Sequence, residues 1–254
     1  MAKTISVHSF RGGTGKSNVV ANLGAQLAAS GARVAVIDTD IQSPGVHVLF
    51  GLDNTDGPTI NDFLWERSTI EDVAIDVGHR VTAHQELAGA GALFLVRGSV
   101  VASDIARVLH EGYDVGRLKD GFRDLTTELN LDYLLIDTHP GLNEETLLSI
   151  MISDVLLLIM RPDRQDFEGT AVTVGVARRL KIPDLLLVLN KVPMGVDRDD
   201  LRAQLDDSYG AETVALLPLS EDVAINASGD LFSLTTPEHE WSAQIRAIAH
   251  RMRS

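Results

Sequence analysis

Short apolar runs alternate with longer amphipathic stretches along this chain. Residues 4–8, 33–37, 92–96, 133–136, 155–160, 185–189 and 213–217 are rich in Val, Ile and Leu, and several of these runs are apolar throughout. Runs of this length without polar alternation fit strands buried on both faces, which is the environment of a parallel sheet. Between them, 17–30, 103–110, 120–129, 143–150, 167–179 and 198–206 space their apolar positions as helices do, and 237–252 reads as a further helix. The alternation predicts a three-layer α/β fold, a mostly parallel central sheet with helices on both faces. Residues 53–91 follow neither period and are read as a possible peripheral insertion within a single domain spanning 1–254. No internal repeat is visible.

Composition narrows the chemistry. With 44% hydrophobic and 23% charged residues the chain can bury a sizeable core. It contains no cysteine, which removes disulfides, thiolate metal sites, cysteine nucleophiles and cysteine-ligated iron–sulfur clusters. No apolar run approaches the roughly 18 residues of a membrane span, and no signal-peptide pattern opens the sequence, so a cytoplasmic location is expected. The net charge of −14 repels nucleic acid and anionic lipid on average. Nonspecific DNA binding would therefore need a local basic patch, for which Arg178, Arg179, Lys181, Arg198, Arg202 and the arginines of the last helix are the candidates.

Polar residues of defined chemistry gather where the apolar runs stop. The first run leads into Ser9-Phe10-Arg11-Gly12-Gly13-Thr14-Gly15-Lys16-Ser17-Asn18, just before a helix. In such a loop glycines let backbone N–H groups turn inward around a phosphate, and the helix N-terminus adds a favourable dipole. Lys16 is then placed for the β- and γ-phosphates and the Ser17 hydroxyl for Mg²⁺. The common pattern G-x-x-x-x-G-K-[ST] is met except at its first glycine, which falls on Phe10. The second run ends in Asp38-Thr39-Asp40. Carboxylates at the C-terminal ends of parallel strands face the ligand crevice, although a strand-end turn with Asp as a helix cap would give the same letters. The run 133–136 ends in Asp137-Thr138-His139-Pro140-Gly141, and apolar residues followed by Asp have the Walker B form, with Asp137 holding Mg²⁺ directly or through water. Asn190 stops another run, and Leu217-Pro218-Leu219 and Ala227-Ser228-Gly229 follow.

Together these motifs resemble the MinD/ParA family of P-loop ATPases with a deviant Walker A loop, in order from Thr4 to about Phe232. The resemblance implies a P-loop NTPase fold, ATP and Mg²⁺ as cofactors, and slow, partner-stimulated hydrolysis. It implies that Arg11 to Asn18 cradle the nucleotide, with Arg11, Lys16 and Asp40 in catalytic roles. Asp40 would orient the attacking water, and Ser17, Asp38 and Asp137 would surround the metal. Asn190 would pair with the adenine edge beside the Pro218 loop, unless it is a turn-forming residue. Two positions depart from the family. Its second lysine, which reaches a partner's phosphates across a nucleotide-sandwich dimer, is Arg11 here. Arginine keeps the charge but changes its shape, so Arg11 either makes that contact in trans or stands exposed or salt-bridged. His139 replaces a residue that the family usually has as Pro, and it is either structural or a source of a hydrogen bond or pH sensitivity beside the γ-phosphate.

Without cysteines, the iron–sulfur branches of the family lose their ligands. The tyrosines are only Tyr113, Tyr133 and Tyr209, which removes the tyrosine-tailed kinases. The remaining branches position division or partition machinery or other cargo, implying an ATP-dependent homodimer and a protein activator or cargo adaptor. A nucleotide-gated regulatory protein with little or no ATPase activity is the alternative. Trp241, Ile245, Ile248 and Met252 form one stripe of the last helix. Such a stripe either packs the helix onto its sheet or makes peripheral membrane contact, and the first is the commoner use.

Overall fold

The computed structural model describes residues 2–53, 57–226 and 228–254. In chain order the elements are β1 (Lys3–His8), α1 (Lys16–Ala29), β2 (Arg33–Asp38), α2 (Val46–Leu49), α3 (Ile60–Leu64), β3 (Ala74–Asp76), α4 (His79–Thr82), β4 (Ala92–Val96), α5 (Ala102–Glu111) and α6 (Val115–Glu128). They continue with β5 (Tyr133–Asp137), α7 (Glu144–Met151), β6 (Val155–Met160), α8 (Arg164–Arg179), β7 (Asp184–Val192), α9 (Arg198–Tyr209), β8 (Glu212–Pro218), α10 (Glu221–Asn226), α11 (Phe232–Thr235) and α12 (Glu240–Arg253).

The strands form one eight-stranded sheet in the order β3-β4-β2-β5-β1-β6-β7-β8. All neighbours run parallel except β3, which pairs antiparallel with β4. This is the expected three-layer α/β fold. Apolar residues on both faces of each strand explain it. In β2, Val34 and Val36 face the layer of α1 and α12, while Ala35 and Ile37 face α3 and α6. On the far side of β1, Leu156, Leu158, Leu187 and Leu189 form a third apolar cluster with α8 and α9.

Helix α1 is buried nearly all round, with Val19, Val20, Leu23 and Leu27 inaccessible, because sheet covers one side and α11 and α12 cover another. Gly24 allows its close approach to the sheet: a Cβ there would lie 2.9 Å from Val36 Cγ2. The α12 stripe is part of the same core, with Trp241 2% exposed and Ile245, Ile248 and Met252 at 0%. Those residues therefore pack α12 onto the sheet and offer a lipid surface no apolar face. Among the described residues, no helix is long and apolar enough to cross a membrane.

Within the stretch 53–91, residues 54–56 lie outside the described residues. The remainder carries α3, β3 and α4, and buries Ile60, Phe63, Leu64, Ile70 and Val73 against α6 and the β2–β4 side of the sheet. A three-residue edge strand and helices of four or five residues are too short to impose a period on the sequence.

The register then positions the site. Val7 and Asp38 are both aligned with Asp137, so β1, β2 and β5 end level with one another. The chain leaves β1 toward β2 on one side, while β6 lies on the other, and ligands bind outside the strand ends at such a reversal of strand order.

Candidate nucleotide site

The loop between β1 and α1 turns on Gly15, whose φ of 88° is left-handed. A Cβ at Gly15 would strike the Asn190 amide nitrogen, so glycine is required on two counts. Asn190 Nδ2 donates to Thr14 O at 2.7 Å, and Lys191 Nζ donates to Gly13 O at 2.9 Å. The end of β7 thus braces the phosphate loop from the side. A cleft of about 340 Å³ lies over the loop, lined by Gly12 to Asn18 with Asp40, Ser43 and Pro140. A second of about 440 Å³ shares Gly13, Gly15 and Asn18 with it and extends along Asn190, Pro218 and Trp241. The two clefts are therefore continuous along the loop. Ser228 lines both, whereas Ala227 of the expected adenine-side segment lies outside the described residues.

Lys16, 7% exposed, extends from the first turn of α1 to form a short ion pair with Asp137 Oδ1. Asp137 Oδ2 is buried without a hydrogen-bond partner among the described residues. Asp38 beside it is fully buried and accepts from Asp40 N at 3.1 Å, Gly45 N at 2.9 Å and Val46 N at 3.2 Å. Its capping of α2 and its place at the site coexist. Burial, and then the charge of Asp137, push the Asp38 carboxyl well above the usual range, with Lys16 pulling the other way. Two adjoining buried carboxylates, an orphaned oxygen and the nearby Ser17 hydroxyl are hard oxygen donors suited to Mg²⁺. Among the described residues no three His, Asp or Glu side chains converge as a metal cage. A metal here would complete its shell with water and phosphate, as Mg²⁺ does.

Asp40 stands at the cleft edge, its Oδ1 accepting from Ser43 N at 3.1 Å and Ser43 Oγ at 2.9 Å. Burial raises its carboxyl, opposed first by the His139 charge. The structure thus puts Lys16 and Asp40 in the lining of the cleft, with Asp137 buried against Lys16 and Asp38 aligned beside it. Arg11 is not among them: Nη1 lies 3.6 Å from Asp166 Oδ1 and 3.7 Å from Asp163 Oδ1, at the start of α8. Asp166 is itself held by Arg161 through its backbone N–H and its guanidinium.

One site-adjacent residue was not anticipated. His8, fully buried at the end of β1, lies 2.8 Å by Nδ1 from Thr138 Oγ1. Since that hydroxyl donates to Val7 O, it accepts from His8, which places a hydrogen on Nδ1. A polar residue closing an apolar run was the only signal. Burial, followed by the charges of Lys16 and His139, pushes its pKa down to about 3 from 6.5. Over that window the unfolded chain binds a proton that the folded chain refuses. Stability is complete above pH 6.5 and is lost as pH falls, by about 1.4 kcal/mol per unit from this residue. Urea melts of His8→Asn, which keeps a donor near the Nδ1 position, should show a pH slope smaller by about one proton between pH 4 and 6. An unchanged slope would exonerate His8.

Comparison with known proteins agrees with this geometry. Residues 5–232 match the CbiA family, the CobQ/CobB/MinD/ParA nucleotide binding domain. An uncharacterized ATP-binding protein of Methanocaldococcus jannaschii is 26% identical over 192 residues, 76% of this chain and 65% of that protein. An iron–sulfur cluster carrier protein of Pyrococcus furiosus is 28% identical over 202 residues, 73% of this chain and 60% of that protein. The chain thus spans less than two thirds of the length of both. The septum site-determining protein MinD of Pyrococcus horikoshii, solved with Mg-ADP, superposes with a TM-score of 0.79 over 99% of this chain and 96% of that one, at 21% identity. With a matched region covering nearly all of the sheet and every strand end that lines the cleft, the chain belongs to the CobQ/CobB/MinD/ParA family of nucleotide-binding domains.

Proposed function

We propose that the chain binds Mg·ATP in this cleft, hydrolyses it slowly, and serves as a molecular switch whose ATP state is a nucleotide-sandwich homodimer. The carrying observation is the buried Lys16–Asp137 pair with the orphaned Asp137 Oδ2 beside it. An ammonium and an unsatisfied carboxylate there suit a triphosphate and its metal, which would exchange partners with them on binding. Ser17, Asp38 and Asp137 would hold Mg²⁺, which would neutralise charge on the phosphates. Asn190 and Pro218 would flank the base. In this reading a protein activator or cargo adaptor speeds turnover, and the dimer positions a cargo or division or partition machinery. The similarity to a MinD bound to Mg-ADP supports nucleotide and metal. The similarity to an iron–sulfur cluster carrier lends no cluster chemistry, since these residues include no cysteine.

A protein platform suits this chain better than DNA. Arg178 donates to Tyr209 O, Arg202 to Thr213 O and Arg246 to Pro237 O, while Arg198 pairs with Glu240 and Arg251 with Asp184 and Glu212. Most of the basic residues that could have formed a patch thus have internal partners.

The second reading, a nucleotide-gated regulatory protein with little turnover, draws on the Arg11 contacts to Asp163 and Asp166 within the same chain. To reach a partner's phosphate Arg11 must leave them. Both pairs exceed 3.5 Å at a side chain 40% exposed, so the hold is weak and a triphosphate is a stronger attractor. Sedimentation of Asp40→Ala with ATP, with and without Arg11→Ala, separates the readings. The single variant should dimerise and the double variant should remain monomeric while still binding ATP. Equal dimer fractions would favour the regulatory monomer.

A further inference from the structure

Asn190 and Lys191, near the end of β7, both direct their side chains to the phosphate loop. A phosphate cradle turns N–H groups inward, so its carbonyls point outward and need donors of their own. Asn190 Nδ2 supplies one to Thr14 O at 2.7 Å, and Lys191 Nζ supplies one to Gly13 O at 2.9 Å. A trans peptide is planar with its C=O and N–H opposed, so holding the Gly13 carbonyl aims Thr14 N–H the other way. Holding the Thr14 carbonyl does the same for Gly15 N–H, which has no acceptor in the protein among the described residues. The backbone of β7 is shaped for these contacts. Its register with β8 shifts between Leu189 and Val192, and Lys191 inside that irregularity has a φ of 61°, a left-handed conformation uncommon for a residue with a Cβ. Asn190 is 6% exposed, and its Oδ1 accepts from Lys191 N at 2.8 Å. A carbonyl on one side and an N–H on the other leave the amide a single orientation.

We propose that Asn190 and Lys191 are positioning residues that aim the amides of the phosphate loop, raising affinity for a phosphate chain whatever base it carries. This role rests on the Mg·ATP reading above. The family resemblance implies a different one for Asn190, a pairing with the adenine edge. Both roles place Asn190 beside the nucleotide, since it lines the second cleft, but they direct its donor to different partners. With the amide on Thr14 O, its removal is felt at the phosphates. The Thr14 and Gly15 peptides then rotate more freely, and their N–H dipoles must be ordered again when an anion arrives. Lys191 follows the same logic, because its ammonium is held on a loop carbonyl and acts through the loop. Base selection then falls to the rest of the second cleft, where Pro218, Ser220, Val223 and Ser228 supply apolar contacts and hydroxyls.

Calorimetry in Mg²⁺ with ATP, and with inorganic tripolyphosphate, which has no base, separates the two roles. Asn190→Ala should lose roughly tenfold in affinity for both ligands, the effect of about one hydrogen bond. Asn190→Asp keeps the size and the acceptor for Lys191 N but sets an oxygen against Thr14 O, and should lose at least as much for both. Lys191→Met should weaken both ligands several-fold, and the loss should persist at high salt, where the field of an exposed charge is screened. Lys191→Arg keeps a donor and should recover part of that loss. If Asn190→Ala folds poorly, Asn190→Asp and the exposed Lys191 variants decide. A loss confined to ATP in the Asn190 variants assigns that residue to the base edge and overturns the brace. Wild-type affinities in Lys191→Met, an arginine variant no better than methionine, or a wild-type protein that binds ATP but no tripolyphosphate at millimolar concentration also overturn it. A wild-type protein that binds neither ligand overturns the Mg·ATP reading, and the brace with it.

Discussion

Lys16→Ala is expected to weaken Mg·ATP binding by roughly 100-fold, the worth of one or two charge-assisted hydrogen bonds to phosphate. The same change should destabilise the nucleotide-free protein. Lys16 is the ammonium paired with the buried carboxylate of Asp137, with Asp38 adjoining. Removing one partner of a buried pair costs about 3–5 kcal/mol when the other charge stays uncompensated. The cost should depend on pH in a defined direction. The Asp38 carboxyl is already raised above its ordinary 3.8, and Lys16 is the charge that opposes the rise. A carboxyl with a raised folded-state pKa contributes its stability fully below the unfolded value and loses it as pH rises through the folded one. Thermal melts without Mg²⁺ should therefore show Lys16→Ala losing more stability between pH 5 and 8 than the wild type. Equal losses, or unchanged calorimetric affinity, would remove Lys16 from the proposed site.

Asp40→Ala should leave ATP affinity nearly intact while slowing hydrolysis by about 100-fold or more, the range typical when a group that acts on a reacting proton is lost. The separation follows from position. Asp40 is hydrogen-bonded through Ser43 at the cleft edge and is not a partner of the Lys16–Asp137 pair that would meet the phosphates. A substrate bound through Lys16 and the loop amides would be bound without it. Single-turnover rates beside calorimetric affinities check both halves. Wild-type turnover in Asp40→Ala would show that the water is held elsewhere.

The sequence carried the parallel strands because each is buried on both faces, which makes it apolar without interruption. It did not carry β3, α2 to α4, α10 or α11, since elements of three to six residues complete too few periods. At the site the division follows sequence distance. The glycines, Lys16 and the strand-end aspartates announce themselves locally. The alignment of Asp38 with Asp137 is a product of β2–β5 pairing, about 100 residues apart in sequence, and no local pattern encodes it. The same holds for Arg11, whose partners Asp163 and Asp166 arrive from the start of α8. His8 looked like the polar end of a strand until Thr138 and the buried ends of β1 and β5 enclosed it.

The packing of α1 also bears on the order in which the protein is made. Lys16 opens α1, but the outer side of that helix is covered by residues that the ribosome adds more than 200 positions later. Asn22 accepts from Ser233 N at 2.8 Å and Gln26 donates to Ser233 O at 3.2 Å. A nascent chain holding the whole phosphate loop and β5 still lacks this cover, and its first helix exposes the apolar side that α11 and α12 later bury. A chain stalled before Trp241 would therefore leave the side of α1 that α12 covers open, and the apolar residues there would be exposed to aggregation.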